Sequence, residues 1–228
     1  MIIDRLFPIP VGVCELGRDI TTEELGCIKS LDKQTNQVNE MSSSNYILNH
    51  CKELKSIKKF IENCLNKYVS ETISPTGEVS TYITQSWTNY TEVGQKHHEH
   101  RHHNSIISGV FYIQAIEQRD NIVFYKSGGE YELPLKIDAE KTNIFNSNGH
   151  QYSVNTGQLY LFPSYLSHGV PTVGAGAHGK MPSAKDKDGN YIQGSTRISL
   201  SFNTWCQGIV GINNNLDELV LEKYNKYE

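Results

Sequence analysis

The sequence predicts a mainly β protein with flanking helices, in which an antiparallel sandwich or barrel is backed on one side by helices from the first third of the chain. Two observations lead to this prediction. Before about residue 77 the apolar residues recur at spacings of three and four, which is typical of amphipathic helices. From Glu78 onward, short β-branched and aromatic runs alternate with clusters of Gly, Asn, Asp and Ser, which is typical of strands joined by turns.

The strand-like runs are spread evenly, and a chain of 228 residues is long enough for one large β domain. We therefore expect a single domain over residues 1–228. It would consist of a helical part over 1–77, a β core over 78–205 and a tail or helix over 206–228.

The helical part contains one predicted strand, near Leu6 to Val13, and two predicted helices. Thr21 and Glu24 have the spacing of a capping box, so a short helix should follow them through Leu25, Ile28 and Leu31. The polar stretch Asp32 to Ser44 is expected to be a loop. A longer helix, ended by Ser74-Pro75-Thr76-Gly77, is marked by the apolar positions Leu54, Ile57, Phe60, Ile61, Cys64, Leu65, Tyr68 and Val69.

The β core has five clear predicted strands: Val79 to Asn89, Ser105 to Ile116, Asn121 to Tyr125, Gln158 to Phe162 and Thr196 to Trp205. A long polar segment, Val173 to Gly194, precedes the last of them and is expected to be a lid over a binding site or a surface insertion. The C-terminal segment Leu216 to Tyr227 is expected to form a short helix.

Composition narrows the function. Lys and Arg total 21 against 25 Asp and Glu, a formal charge of −4, so we expect neither a nucleic-acid nor a membrane partner but a small-molecule or peptide substrate. No apolar run is long enough to span a bilayer. Five cysteines without a Cys-x-x-Cys pair argue against a zinc ribbon and against disulfides, which favours the cytoplasm (the host cytoplasm if the chain is phage-encoded). An exposed sheet edge would permit a homodimer.

Five histidines crowd into the segment from His97 to His103, and His168 follows a later strand-like run. Imidazole is the commonest ligand for first-row transition metals, so this is the candidate metal site. In an extended strand alternate side chains share a face, which groups His98, His100 and His102 on one side. The opposite side would carry His97, Glu99, Arg101 and His103.

Several segments resemble a known family: Gln85-Ser86-Trp87-Thr88-Asn89, Gly94, His100-x-His102, Asn104-Ser105-x-x-Ser108-Gly109-Val110-x-Tyr112, Leu161-Phe162-Pro163-Ser164-x-x-x-His168-x-Val170-Pro171 and Arg197-Ile198-Ser199-x-Ser201-Phe202-Asn203. In this order they are similar to iron(II)- and 2-oxoglutarate-dependent oxygenases of a group found in marine bacteria and their phages, over about Val79 to Trp205. The resemblance implies a double-stranded β-helix, a jelly-roll or cupin-like barrel with the metal in its mouth. It also implies Fe(II) as metal and 2-oxoglutarate as cosubstrate.

The resemblance also implies roles for single residues. His100 and His102 would be the proximal metal ligands and His168 the distal one. Arg197 would bind the distal carboxylate of 2-oxoglutarate, because a guanidinium pairs with a carboxylate in a planar, bidentate manner. The remaining candidates for the cosubstrate pocket are Ser199, which shares a strand face with Arg197, together with Asn89, Tyr112 and Trp87.

The sequence departs from the superfamily pattern at the proximal pair, where His-x-Asp or His-x-Glu is usual. Two explanations are open. In the first, three neutral imidazoles hold the iron and the 2-oxoglutarate dianion balances its charge. In the second, His97 and Glu99 form the true proximal pair, because a bulge presents the opposite face of the strand to the metal. The family resemblance favours His100 and His102.

If the site is active, the resemblance implies a hydroxylase that couples decarboxylation of 2-oxoglutarate to oxidation of an unknown substrate. One alternative is a cupin-like barrel that binds zinc, nickel or manganese without 2-oxoglutarate, and Arg197 argues against it. The other is a structural or interaction protein that keeps the fold without catalysis, which the missing carboxylate favours.

Overall fold

The structure is a computed structural model and describes residues 1–75, 78–117, 119–126, 136–174, 196–211 and 217–222. In chain order its elements are β1 (Gly12–Glu15), α1 (Thr22–Ser30), β2 (Lys33–Asn36), β3 (Asn39–Ser42), α2 (Ile47–His50), α3 (Lys55–Thr72), β4 (Val79–Thr91), β5 (His97–His100), β6 (Ile107–Gln114), β7 (Asn121–Tyr125), β8 (Gly149–Ser153), β9 (Gln158–Pro163), β10 (His168–Val170), β11 (Arg197–Val210) and β12 (Leu219–Leu221).

The helices begin where the sequence predicts. The Glu24 backbone N–H donates to the Thr21 hydroxyl at 3.2 Å and the Thr21 N–H donates to the Glu24 carboxylate at 2.9 Å, so the capping box before α1 is confirmed. α3 buries one stripe of residues three and four positions apart, because its other faces meet solvent. The stripe consists of Ile57, Ile61, Leu65, Tyr68 and Val69.

Two antiparallel sheets face each other. The larger has the strand order β1-β9-β6-β11-β4-β3-β2, with β12 paired to the far end of β11, and the smaller has the order β5-β10-β7-β8. This arrangement is the predicted mainly β fold, a double-stranded β-helix.

The larger sheet is buried on both faces, which explains the continuous apolar character of its central strands. In β6, Phe111 and Ile113 point toward the helices, where they join a core containing the apolar stripe of α3. Val110 and Tyr112 alternate with them and pack with Phe124 of the smaller sheet. The side chains of Val110 and Tyr112 therefore line the interior between the two sheets.

The N-terminal third differs from the sequence prediction in two places. Asp32 to Ser44 is not a loop but contains the hairpin β2–β3, in which Glu40 pairs with Tyr90 of β4. β2 is the edge strand of the larger sheet and β3 lies next to it. Both are mostly polar, so no apolar alternation marks them. The first strand occupies Gly12–Glu15 rather than Leu6 to Val13, because Pro8 and Pro10 have no backbone N–H for a ladder.

The C-terminal part differs as well. Strand β11 continues past Trp205 to Val210, and Leu219–Leu221 pairs with this overhang as β12, so a helix over that stretch is wrong. The extended end of β11 offers unpaired main-chain groups to β12, and a single helical turn at that place would lack these partners. The long polar segment Val173 to Gly194 lies outside the described residues from 175 onward. No described helix is both long and apolar enough to cross a membrane.

Candidate metal centre and anion pocket

Three histidines converge between the two sheets. His100 ends β5 and pairs through its main chain with His168 at the start of β10. His102 follows two residues later, where its backbone N–H donates to the Ser164 carbonyl at 3.0 Å. One potential ligand atom from each ring lies within 4.8 Å of those of the other two. The structure therefore brings together the three histidines predicted as ligands, and we call them the central triad.

Hydrogen bonds fix the orientation of two of these rings. The Nδ1 of His100 lies 2.9 Å from the His98 carbonyl, and the Nδ1 of His168 lies 2.9 Å from the Leu166 carbonyl. A carbonyl oxygen only accepts, so in both rings Nδ1 carries the proton and donates. The lone pair is left on Nε2, which is the arrangement that metal-binding histidines show.

Burial keeps the central triad neutral. Burial, together with the neighbouring His100, lowers the pKa of His168 to about 3. Burial likewise lowers the pKa of His102 to about 4 and lowers that of His100. A metal binds only the neutral imidazole, so these rings need not lose a proton at neutral pH before they bind.

A β-bulge changes the faces of the histidine segment. His168 pairs with His100 and Val170 with His97, so Gly169 alone stands opposite two residues of β5. Simple alternation is therefore wrong at this place: His97 lines the same cavity as His100 and His102, whereas His98 is exposed. Strict alternation placed His97 on the face opposite His100 and His102, because a bulge leaves no apolar pattern in the sequence.

The same bulge places Glu99 away from the central triad. The Ser167 hydroxyl donates to its carboxylate at 2.6 Å. Among the described residues, the two groups of side chains close enough to hold a metal contain only histidines. This geometry gives no support to a His97–Glu99 ligand pair.

Arg197 is the most unusual side chain of the site, since it is a charged group with only 1% of its surface exposed. Its Nη1 donates to the Ser199 hydroxyl at 3.4 Å and its Nη2 to the Tyr112 hydroxyl at 3.3 Å, both long hydrogen bonds. Within the described part of the chain its Nε has no hydrogen-bond partner and no carboxylate forms an ion pair with it. A buried guanidinium in this state is prepared for an anion that is not part of the described chain.

Strand register explains why the predicted cosubstrate residues meet. Ser199 of β11 lies opposite Asn89 of β4 on one side and opposite Tyr112 of β6 on the other. Arg197 lies two residues along the same strand and so shares their face. Burial raises the pKa of Tyr112 to about 12, so its hydroxyl keeps its proton beside Arg197. The side-chain amide oxygen of Asn89, Oδ1, has no hydrogen-bond partner among the described residues.

One cavity connects the central triad to Arg197. The cavity is small, with a volume of about 60 Å³. Trp87 stands at its wall and packs edge-on against His102, with ring centroids 5.8 Å apart. The predicted ligands and the predicted cosubstrate residues Arg197, Ser199 and Asn89 thus line one space, and Tyr112 reaches it through Arg197.

A buried hydrogen-bond network supports the segment that carries His102. The Ser108 hydroxyl donates to the Asn203 side-chain oxygen at 2.9 Å and lies 2.8 Å from the Ser164 hydroxyl. The Ser164 hydroxyl in turn donates to that of Ser105 at 2.7 Å. These residues belong to the segments that carry the family resemblance, so the network gives these recurring polar positions a structural reason. They hold the chain around His102 and Ser164 in place.

Solved structures share this fold. A 2OG-Fe(II) oxygenase family oxidoreductase from Burkholderia pseudomallei is 9% identical with a TM-score of 0.50, over 78% of this chain and 74% of its own. HygX from Streptomyces hygroscopicus, solved with nickel, 2-oxoglutarate and hygromycin B, is 11% identical with a TM-score of 0.53, over 86% and 82%. The carbocyclase SnoK of nogalamycin biosynthesis is 9% identical with a TM-score of 0.52, over 93% and 90%. At such identities the likeness concerns the fold, and it confirms the double-stranded β-helix.

The chain is a double-stranded β-helix in which three histidines and a buried arginine line one cavity, a combination that 2-oxoglutarate-dependent oxygenases use. Residues 85–178 match the family model described as "Putative 2OG-Fe(II) oxygenase". The matched segment carries all three histidines, and the match agrees with the predicted 2OG-Fe(II) oxygenase family. No curated protein sequence matches the chain.

Proposed function

We propose that this protein is an Fe(II)- and 2-oxoglutarate-dependent hydroxylase in which the central triad, His100, His102 and His168, holds the metal and Arg197 binds the distal carboxylate of 2-oxoglutarate. The observation that carries the proposal is the buried guanidinium of Arg197, which faces the same cavity as the three histidines and has no carboxylate partner among the described residues. A dicarboxylate bound to the metal at one end supplies the missing anion at the other.

The donor set suits iron. Imidazole nitrogen is a ligand that Fe(II) accepts, and a site with three protein ligands leaves positions for cosubstrate and oxygen. Because the three rings are neutral, the site itself adds no negative charge. The 2-oxoglutarate dianion would then offset the positive charge of Fe(II) without the carboxylate ligand that the usual His-x-Asp pattern supplies.

When bound, Fe(II) couples the oxidative decarboxylation of 2-oxoglutarate, which gives succinate and carbon dioxide, to oxidation of a second substrate. The chain's own side chains bind and orient. The planar fork of Arg197 fixes the distal carboxylate, and the Tyr112 and Ser199 hydroxyls are placed to donate to it. The Asn89 amide lies along the same wall, and Trp87 covers His102 from solvent.

The second substrate remains a prediction. We propose a small molecule or a peptide, because the cavity is small and the chain carries no excess of positive charge. A cytoplasmic location, a homodimer and the narrower marine bacterial and phage grouping are likewise predictions from the sequence.

The test is succinate formation. Anaerobically purified protein is loaded with Fe(II), mixed with 2-oxoglutarate and exposed to oxygen, beside the variants His168→Ala and Arg197→Ala. We expect succinate above the protein-free background in the wild type and background levels in both variants. Equal succinate in the wild type and in both variants would contradict the assigned roles.

A second candidate is a cupin-like barrel that binds zinc, nickel or manganese without 2-oxoglutarate chemistry. Three neutral histidines suit these metals as well as they suit iron. If this candidate is right, 2-oxoglutarate does not strengthen metal binding. Replacement of Arg197 then leaves the binding of every ligand unchanged. A barrel without catalysis predicts no succinate under any of these conditions.

A further inference from the structure

We propose that the chain holds a second metal position, formed by His97, His98 and His100, that competes with the central triad for His100. One potential ligand atom from each of these rings lies within 4.8 Å of those of the other two. The ring centroids are 4.8 Å apart for His97 and His98, 4.8 Å for His97 and His100 and 5.1 Å for His98 and His100. These distances match those of the central triad.

The bulge in β5 creates this second position. In a regular strand His97 and His98 would point to opposite faces, yet here their rings are stacked, with 16° between their planes. The bulge favours glycine opposite it, because a Cβ on Gly169 would lie 3.2 Å from the carbonyl oxygens of both His97 and His98, closer than most Cβ contacts. The backbone thus holds the two rings on one side of the strand.

The chemistry of the position differs from that of the central triad. His98 is exposed and His97 is half-buried, so the position is open to solvent and a water completes four ligands. Three imidazoles and a water form a tetrahedral set that zinc prefers. Zn²⁺ also binds nitrogen sites more tightly than Fe²⁺. Zinc is therefore the metal that we assign to this position.

The two positions exclude each other. The Nδ1 of His100 donates to the His98 carbonyl, so only its Nε2 is free to bind a metal. One nitrogen lone pair serves one metal ion. Zinc at the second position therefore takes His100 from the central triad, leaves His102 and His168 as a pair, and weakens the hold on iron.

Zinc binding to the full-length chain tests this, by equilibrium dialysis followed by metal analysis. We expect one Zn²⁺ per chain in the wild type, in His98→Ala, where the central triad remains, and in the double variant His102→Ala/His168→Ala, where the second position remains. Adding His98→Ala to the double variant should weaken zinc binding at least about tenfold, since even the loss of a residue that only supports a ligand costs that much.

The matched control is His103→Ala in the double variant, which removes an exposed histidine of the same segment that belongs to neither position. It should leave zinc binding unchanged. An equal loss for His98→Ala and His103→Ala would mean that a histidine-rich surface binds zinc without a defined position. Two Zn²⁺ per wild-type chain would overturn the mutual exclusion, and no zinc on the folded double variant would overturn the second position itself.

A second measurement does not depend on the double variant. Iron-loaded wild type and His98→Ala are titrated with Zn²⁺, and the released Fe(II) is measured with a colorimetric chelator. We expect iron release from the wild type at lower zinc than from His98→Ala, and equal release would contradict the proposal. The effect on turnover rests on the proposed function, but both readouts are binding measurements. A failure of the succinate assay and a failure of this proposal are therefore distinguishable.

Discussion

Replacement of Arg197 by methionine tests whether its charge exists for a ligand or for the fold. Methionine fills a similar volume without charge. The two hydrogen bonds that Arg197 donates, at 3.3 and 3.4 Å, are long and together contribute only about 1–2 kcal/mol to the free energy of unfolding. Against this stands the cost of burying a charged group that has no carboxylate partner among the described residues, and of its Nε, which has no hydrogen-bond partner there and costs about 1–3 kcal/mol. We therefore expect the free energy of unfolding of the ligand-free Arg197→Met variant to stay within about 1 kcal/mol of the wild-type value, or to rise.

The effect on 2-oxoglutarate should be large. Removing one partner of a buried charge pair costs about 2–4 kcal/mol of binding, a weakening of roughly 30-fold to 1,000-fold. At 100 times the wild-type Kd, 2-oxoglutarate stabilises the metal-loaded wild type by about 2.7 kcal/mol, whereas the variant gains about 0.8 kcal/mol or less. Anaerobic urea denaturation with and without 2-oxoglutarate measures both quantities.

Arg119 provides the matched control. It is equally buried, yet its guanidinium contacts the buried Asp120 carboxylate at 2.6 and 2.9 Å. Arg119→Met leaves that carboxylate without its partner, so we expect a loss of about 3–5 kcal/mol in the free energy of unfolding. If Arg197→Met is destabilised as much as Arg119→Met and keeps the wild-type response to 2-oxoglutarate, Arg197 is a structural residue and the reasoning is refuted.

Four further predictions concern pH, packing and the role of Glu99. Burial lowers the pKa of His168 to about 3 and that of His102 to about 4, so both rings stay neutral down to pH 5.5. The Ni(II) affinity measured by calorimetry should therefore change less than about tenfold between pH 7.5 and 5.5. A site of three histidines with a pKa of 6.5 would lose affinity about a thousandfold over the same range. The histidines of the unfolded chain bind protons near pH 6.5, whereas those of the central triad in the folded chain do not. The metal-free protein should therefore lose stability in thermal unfolding as the pH falls from about 6.5 to 4. A constant stability over this range would contradict the low pKa values. Gly109→Ala should cost about 1–3 kcal/mol in urea denaturation, because its Cβ would collide with the ring of Phe202, and a neutral result would show that the ring has room to move. Glu99→Gln should bind Ni(II) with wild-type affinity, and a large loss would restore Glu99 as a ligand.

The sequence was sufficient for the parts of the fold in which burial leaves a periodic signal. The stripe of α3 and the central strands β6, β7 and β9 were predictable because their side chains pack in two cores. The hairpin β2–β3 and strand β12 were not predictable in this way. They lie at or next to a sheet edge, where main-chain pairing holds segments that are polar or short and therefore show no long apolar alternation.

The candidate site shows the same division. Family resemblance identified His100, His102, His168 and Arg197, and strand register then explains why they meet. His97 was placed on the wrong face, because a bulge opposite Gly169 depends on how two strands pair and not on either strand alone. The burial of Arg197, and its lack of a carboxylate partner among the described residues, are likewise properties of the packed structure.

The most direct test of the central claim is an anaerobic titration of the Fe(II)-loaded protein with 2-oxoglutarate, followed by the metal-to-ligand charge-transfer absorption band. The account predicts a band that saturates at one 2-oxoglutarate per chain in the wild type, is absent in His168→Ala and requires roughly 30-fold or more cosubstrate in Arg197→Met. An iron-loaded wild type that develops no band would contradict the assignment of this cavity as the place where iron and 2-oxoglutarate meet.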